Sequence, residues 1–543
     1  MMKSVRKSWL LGVAAATLLV ACGERADDGE TRAERKASDI ARNAEAEMKK
    51  IDLREGDASK AADALAAMAF DNSESGMLSF GSSDVDGAAA MFEDVSWAIP
   101  GEDDASIDMG KVEFEGLDMS DSGANFARMT VSDIKLVPPE DDREDGSLEI
   151  ASIELINPSP ELAAFVASLG GADGEPGEFP AFDKISFDAF TLNGLNFELN
   201  EGDEDVSIDF GDVNVLGFSG ERVELFQLSG IDMDIYDSYD DMRMKFAIGN
   251  FAIDGADKTI IDTMIQAAQS GGDEEAMMEA VMQAAYGDPT DPGFNGLTMS
   301  DISFDGEGVS FVMPKLDAVV DRNNDGKVTR YETFPYTATL KADPEAGDMG
   351  AELAGALAML QYEEIEISGE SLTVFDPEND TSEIKSNRLS LKDGFDLNFT
   401  GKFGGLKSYG QAIATMDMDA MQNDPEAMMQ AFSQLTLYDV EMTLNDASIV
   451  DRLFNLAATQ SGEDPQSLRN QAVAMTSMAP MMAAQSGVDP EIATEVAGAI
   501  AEFLTEPGTL TIKMKPEDPI NADTFTSPEE ITKKALGLSA TAE

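Results

Sequence analysis

Between Asp321 and Glu332 the chain reads DRNNDGKVTRYE, and its oxygen-bearing side chains recur at a spacing that could coordinate a metal ion. Asp321, Asn323, Asp325 and Thr329 occupy positions one, three, five and nine of this stretch, and Glu332 at twelve can offer two oxygens. Gly326 stands at six, where such a loop must turn sharply, and Lys327 at seven need contribute only its backbone carbonyl. Val328 at eight is the apolar residue expected to pack the loop inward. The chemistry implied is oxygen coordination of a hard cation, Ca2+.

Composition narrows the alternatives. The 543 residues include 105 acidic and 37 basic side chains, a formal net charge of -68, and no histidine. Without histidine, Ser-His-Asp and Cys-His nucleophilic sites, HExxH zinc sites and histidine-ligated metals are excluded. A polyanion without a basic patch is also a poor partner for nucleic acid. Ser382 and Lys385 form a lone SxxK without companion motifs, GKFGGLKS from Gly401 fails the phosphate-loop spacing, and no GxSxG occurs. A non-enzymatic protein is expected.

The flanks of the Asp321 stretch set how it is held. The twelve residues resemble the EF-hand calcium loop, and this resemblance implies Asp321, Asn323, Asp325, Lys327, Thr329 and Glu332 as ligands. Pro314 can begin a short entering helix through Leu316 and Val320, whereas Thr333 and Pro335 leave almost no exit helix. The loop is therefore closer to the isolated calcium loops of extracellular proteins than to a paired sensor. Another stretch, from Asp141, has glycine at six but Arg143 and Ser152 at ligand positions three and twelve.

At the amino terminus Lys3, Arg6 and Lys7 precede an apolar run from Leu10 to Ala21, the pattern of a secretory signal over residues 1–21. The run is shorter than the roughly 20 residues needed to span a bilayer. It ends Leu19, Val20, Ala21, Cys22, Gly23, and Cys22 is the chain's one cysteine. This resembles the lipobox of bacterial lipoproteins, which implies lipidation of Cys22 and anchoring in the cell envelope, with Gly23 pointing to the outer membrane. Residues 22–56 read as a charged tether, with a narrow stripe of Ile40, Ala44, Met48 and Ile51 suited to a helix outside the core.

Residues 57–520 read as the body, and 521–543 as a polar tail. A unit of apolar, any, apolar, two small or polar residues, apolar, any, apolar recurs as MTVSDIKL, LEIASIEL, FTLNGLNF, FQLSGIDM, FAIGNFAI, LTMSDISF and LTLYDVEM. A step of three inside a period-two strand would send its second half to the wrong face, so each unit must hold a hairpin turn or a bulge. Asn193–Gly194 suits a type I′ turn, and Ser300–Asp301 a bulge. Helices start at Ser159–Pro160, Asp424–Pro425, Asp464–Pro465 and Asp489–Pro490, each a capping residue followed by proline. DEEAMMEAVMQAA before LTMSDISF, and DPEAMMQAFSQ before LTLYDVEM, suggest an internal duplication into two halves.

The fold class expected is α+β, a large, mostly antiparallel sheet system of repeated short strands with helical insertions. Two functions fit it. One is a calcium-stabilised envelope lipoprotein with a structural role or a macromolecular partner. The other is a periplasmic carrier whose one-faced strands wrap lipid or another apolar ligand, since the repeated units resemble in texture the AsmA-like β-groove proteins of the envelope.

Overall fold

Alternation of apolar and polar residues sets a pleat with one apolar face, and the chain satisfies it as antiparallel sheet. The computed structural model describes residues 44–543 except 72–77, 100–104, 139–145, 170–177, 202–203, 240–241, 259, 263–287, 289, 415–424, 486–488, 522–523 and 525–530. The signal, Cys22 and the DEEAMMEAVMQAA segment lie outside the described residues. Two compact units result, one built on Lys36–Ile261 with Gly293–Glu307 and the other on Asp262–Pro292 with Gly308–Glu543.

In the first unit the strands are β1 (Leu78–Ser79), β2 (Ser82–Asp86), β3 (Ala89–Ala98), β4 (Ser106–Glu115), β5 (Asp118–Ser120), β6 (Gly123–Asn125), β7 (Arg128–Val137), β8 (Gly146–Ile156), β9 (Phe187–Glu201), β10 (Glu204–Phe218), β11 (Arg222–Asp237), β12 (Met242–Asp257) and β13 (Gly296–Gly306). β3, β4 and β7 to β13 pair antiparallel in sequence order, β1 and β2 share the free edge of β3, and β5 pairs with β6 alone. The helices Ala61–Ala67 and Pro160–Leu169 close a core around Phe92, Val112, Phe114, Leu117 and Phe126. Ser159 caps the second of these, its Oγ accepting from Leu162 N at 3.4 Å.

The second unit runs β14 (Val309–Arg322), β15 (Val328–Ala342), β16 (Glu364–Asp376), β17 (Thr381–Leu391), β18 (Phe395–Gly404), β19 (Thr436–Asp446), β20 (Thr509–Met514), β21 (Ile520–Asn521) and β22 (Leu538–Ala542). These too pair antiparallel in order, with β22 against β20 and β21 against β19. Helices Ile449–Ser461 and Pro490–Thr505 pack Val450, Ala499 and Phe503 over Leu510 and Ala540. Two cap-then-proline starts hold here: Asp464 accepts from Ser467 N at 3.0 Å and Asp489 from Glu491 N at 2.9 Å, while Asp424 lies outside the described residues.

Five expectations change. No hairpin forms at Asn193–Gly194, because β9 runs straight through both residues and is 15 residues long; no bulge forms at Ser300–Asp301, because β12 and β13 keep one register across it while Asp301 turns left-handed. The entering helix at Pro314 is instead the middle of β14, where Leu316, Ala318 and Val320 are buried. The tether is docked from Ala44 onward: Ala44 is buried, and Arg54 N donates to Asn157 Oδ1 at 3.1 Å. Burial lowers the Arg54 pKa, against the attraction of Asp188. Finally, the tail is part of the sheet, since Leu536, Leu538 and Ala540 are buried where β22 pairs with β20.

Candidate functional site

Six of the seven repeated units explain the first unit's sheet, the seventh, LTLYDVEM, lying on β19 of the second unit. Their central residues fall into one row crossing it: Asp94, Gly110, Asp133, Ala151, Gly194, Gly211, Gly230, Gly249 and Asp301 stand opposite one another between flanking paired positions. On alternate strands this residue is left-handed, with φ of 53° at Asp94, 55° at Asp133, 59° at Gly194, 61° at Gly230 and 54° at Asp301. Each faces glycine or alanine, because there is no room for more. A Cβ on Gly110 would lie 2.9 Å from the Asp133 Cβ, and one on Gly249 2.8 Å from the Asp301 Cβ. The left-handed residue breaks the pleat's alternation, so the apolar residues on its two sides emerge on one face. Three further copies, AMFEDVSW in β3, IDMGKVEF in β4 and IDFGDVNV in β10, sit in the same row. They satisfy the same pattern of apolar, any, apolar, two small or polar residues, apolar, any, apolar, and so were legible in the sequence.

The face so produced is apolar from strand to strand. One row runs Phe92, Val112, Val131, Ile153, Leu192, Val213, Leu228, Phe251 and Met299, each paired with the next. Across the crease a second row runs from Val95 through Leu195 and Phe210 to Ile248. Toward β3 and β4 these side chains are buried beneath the helices, whereas from β9 to β13 most of them are half-buried. The opposite face is acidic. There a concavity of about 790 Å³ is lined by Glu198, Asp209, Asp232, Asp234 and Asp305 with Arg243 and Lys245. Hydrogen bonding from Arg243, followed by the charges of Arg243 and Lys245, outweighs burial and holds the Asp234 carboxyl below its ordinary range.

The calcium-loop residues form the tip of the β14–β15 hairpin. Gly326 takes φ 77° with nothing near its missing Cβ, so the turn requires glycine for conformation rather than space. Asn323 Oδ1 accepts from Asp325 N and Lys327 N, both at 3.0 Å, and Lys327 O accepts from Asn323 N at 2.9 Å. Thr329 Oγ1 donates to the Asp321 carbonyl at 3.1 Å, and Val328 is buried. Thus Asn323, Asp325 and Lys327 are tied together by the turn, and Asp321 is tied to Thr329 at its base. Glu332 follows on the strand. It lies on β15 opposite Val319, four residues and about 13 Å of strand beyond Val328, and its carboxylate pairs with Arg330 at 2.6 Å. An EF-hand carries position twelve on an exit helix, whereas here it stands on a strand, two residues beyond Arg330, the residue paired with Asp321. Among the described residues, no group of three or more Asp, Glu, Cys or His side chains is placed to hold a metal.

Two clamps at this tip were not legible in the sequence. Arg322 makes paired bonds of 2.6 Å to both oxygens of Asp291 and another of 3.0 Å to Gly326 O. Lys407 donates to Asp288 at 2.6 Å. Burial would raise the Asp288 pKa, but hydrogen bonds from Lys407 and Thr290 outweigh it and the net shift is downward; Lys407 is raised by the same bond. Beside them a concavity of about 350 Å³ is lined by Lys327, Val328, Phe375 and Ser382. Ser382 is buried, and its hydroxyl has no hydrogen-bond partner among the described residues. Lys385 of the SxxK motif pairs with Glu383 at 2.5 Å.

A family model described only as an uncharacterized protein matches residues 388–543, from β17 to the carboxyl terminus. No curated protein and no solved structure matches the chain.

Proposed function

We propose that this chain is a non-enzymatic cell-envelope protein, anchored through lipidated Cys22 at the outer membrane, whose one-faced sheet carries acyl chains or a comparable extended apolar ligand. The supporting observation is the pair of unbroken apolar rows, half-buried from β9 to β13. A flat pocket for a compact ligand needs polar groups converging on it, whereas a long apolar strip flanked by carboxylates suits hydrocarbon. Mass spectrometry of the full chain extracted from membranes tests this. Reproducible noncovalent lipid is expected, with occupancy reduced severalfold in Leu195→Asp and Ile231→Asp. Protein that is reproducibly empty sinks the reading.

A second reading, a structural lipoprotein stapled by calcium, is favoured by the spacing of Asp321, Asn323 and Asp325 about a turn that requires Gly326. Calcium would there be held by those oxygens and the Lys327 carbonyl. At a Kd on the order of 0.1 mM, millimolar calcium would add about 1.4 kcal/mol of stability. Calorimetric titration should lose its site-specific heat in Asp325→Ala and keep it in Glu332→Ala. Equal loss in both would restore the twelve-position ligand set, and no heat in the native chain would end the staple.

A further inference from the structure

On the face opposite the apolar rows, the first unit's sheet carries a second concavity, of about 440 Å³, beside the docked tether. Thr191 and Asn193 of β9 line it, standing opposite Asn214 and Asp212 of β10. Residues so paired span about 5 Å across the strands and about 7 Å along them. Met48 and Lys49 of the tether also line it, as do Arg128 and Glu154. Asn214 is 9% exposed, and its side-chain amide makes no hydrogen bond among the described residues. Its two cross-strand neighbours have turned to other partners. Gln227 donates to Asn250 Oδ1 at 2.9 Å, and Thr191 donates to Met48 Sδ, a weak acceptor, at 2.9 Å. A buried amide left in this state costs free energy that the hydrogen bonds of a ligand would return.

We infer that this concavity binds a neutral saccharide ring, with the Asn214 amide as its central contact. Charge does not select an ion here. The lining holds two cations, Lys49 and Arg128, and two anions, Glu154 and Asp212, and Arg128 is already paired with Glu115 at 2.9 Å and Glu154 at 3.0 Å. What the lining offers beyond those pairs is an amide with both donor and acceptor, and adjacent hydroxyls of a sugar present the same two functions. Asn193 gives its Nδ2 to Ser152 Oγ at 2.9 Å, and Asp212 accepts from Ser229 Oγ at 3.3 Å, so both are held in place beside the vacant amide. Met48 and Ile156 supply apolar surface for the C–H side of the ring. A few polar groups converging in a concavity with apolar walls is the ordinary form of a small-molecule site. Water is the competing occupant of a polar cavity of this size. The inference does not depend on the carrier reading, which concerns the other face.

The test uses the full chain and saturation-transfer NMR observed on D-glucose, D-galactose, D-mannose, N-acetyl-D-glucosamine and maltotriose. At least one of these sugars should receive saturation. Asn214→Leu keeps the branched shape and removes both donor and acceptor, so it should weaken binding about tenfold. Its melting temperature should equal or exceed that of the native chain, because no buried amide is then left unpaired. Ser207→Ala, in the acidic concavity on the same face, should bind as the native chain does. Transfer to maltotriose as well as to the monosaccharides assigns the end of a glycan, and transfer to monosaccharides alone a free sugar; either upholds the inference. No transfer to any of the five sugars overturns it and leaves water as the occupant. Undiminished binding by Asn214→Leu also overturns it, and so does a lowered melting temperature in that variant, which would mean that the amide is satisfied within the fold.

Discussion

Single residues fix the tip of the β14–β15 hairpin. Asn323 spends its side-chain oxygen on two backbone donors, and Glu332 its carboxylate on Arg330. What holds the neighbouring segment is the pair Asp288–Lys407, and its pH dependence follows from the two shifts. Asp288 is lowered, so its contribution is present above the ordinary carboxylate pKa of about 4 and is lost as pH falls through its folded value. Lys407 is raised, so its contribution is present below about 10 and is lost as pH rises through its folded value. The lysine side chain is 54% exposed and screened by solvent, so Lys407→Met should cost no more than about 1 kcal/mol at pH 7. In urea denaturation the gap between native and variant should close as pH falls below the ordinary carboxylate range. A gap independent of pH would mean that the lysine stem, and not its charge, carries the effect.

For the strands the crease is the organising element. Left-handed aspartate costs on the order of 1 kcal/mol at each position, and Asp94, Asp133 and Asp301 accept that cost so that both halves of each strand keep one apolar face. Their partners must stay small. Gly249→Ala places a Cβ 2.8 Å from that of Asp301 and should destabilise by about 1–3 kcal/mol. Asp301→Gly removes that neighbour and the strain together, so the double variant should recover most of the loss in equilibrium denaturation. Additive effects would show that the two positions do not meet. The second unit keeps its faces differently, with register shifts at Leu372/Thr373, Ile384/Arg388 and Lys402/Phe403.

At the scale of the whole molecule, charge dominates. A net of -68 repels itself at every conformation but most in the compact one. Raising ionic strength from 0.01 to 0.15 M shortens the screening length from about 30 Å to about 8 Å, and the melting temperature should rise with it. A melting temperature that falls would mean that ion pairs such as Arg322–Asp291 outweigh the repulsion.

The sequence by itself determined what is local. Period-two alternation marked the strands, the recurring step of three marked the sites where the pleat breaks, and aspartate or serine before proline marked the helix starts that Asp464 and Asp489 cap. It also prescribed the turn at Gly326. Only the tertiary structure decided what depends on register between distant segments. The breaks line up into one crease, Glu332 falls opposite Val319 on β15, and Leu538 and Ala540 join β20 instead of trailing in solvent. Arg322 finds Asp291 across 31 residues and Lys407 finds Asp288 across 119. Pleat and capping are set by a residue and its near neighbours, whereas register is the outcome of pairing many strands at once, and no single stretch encodes it.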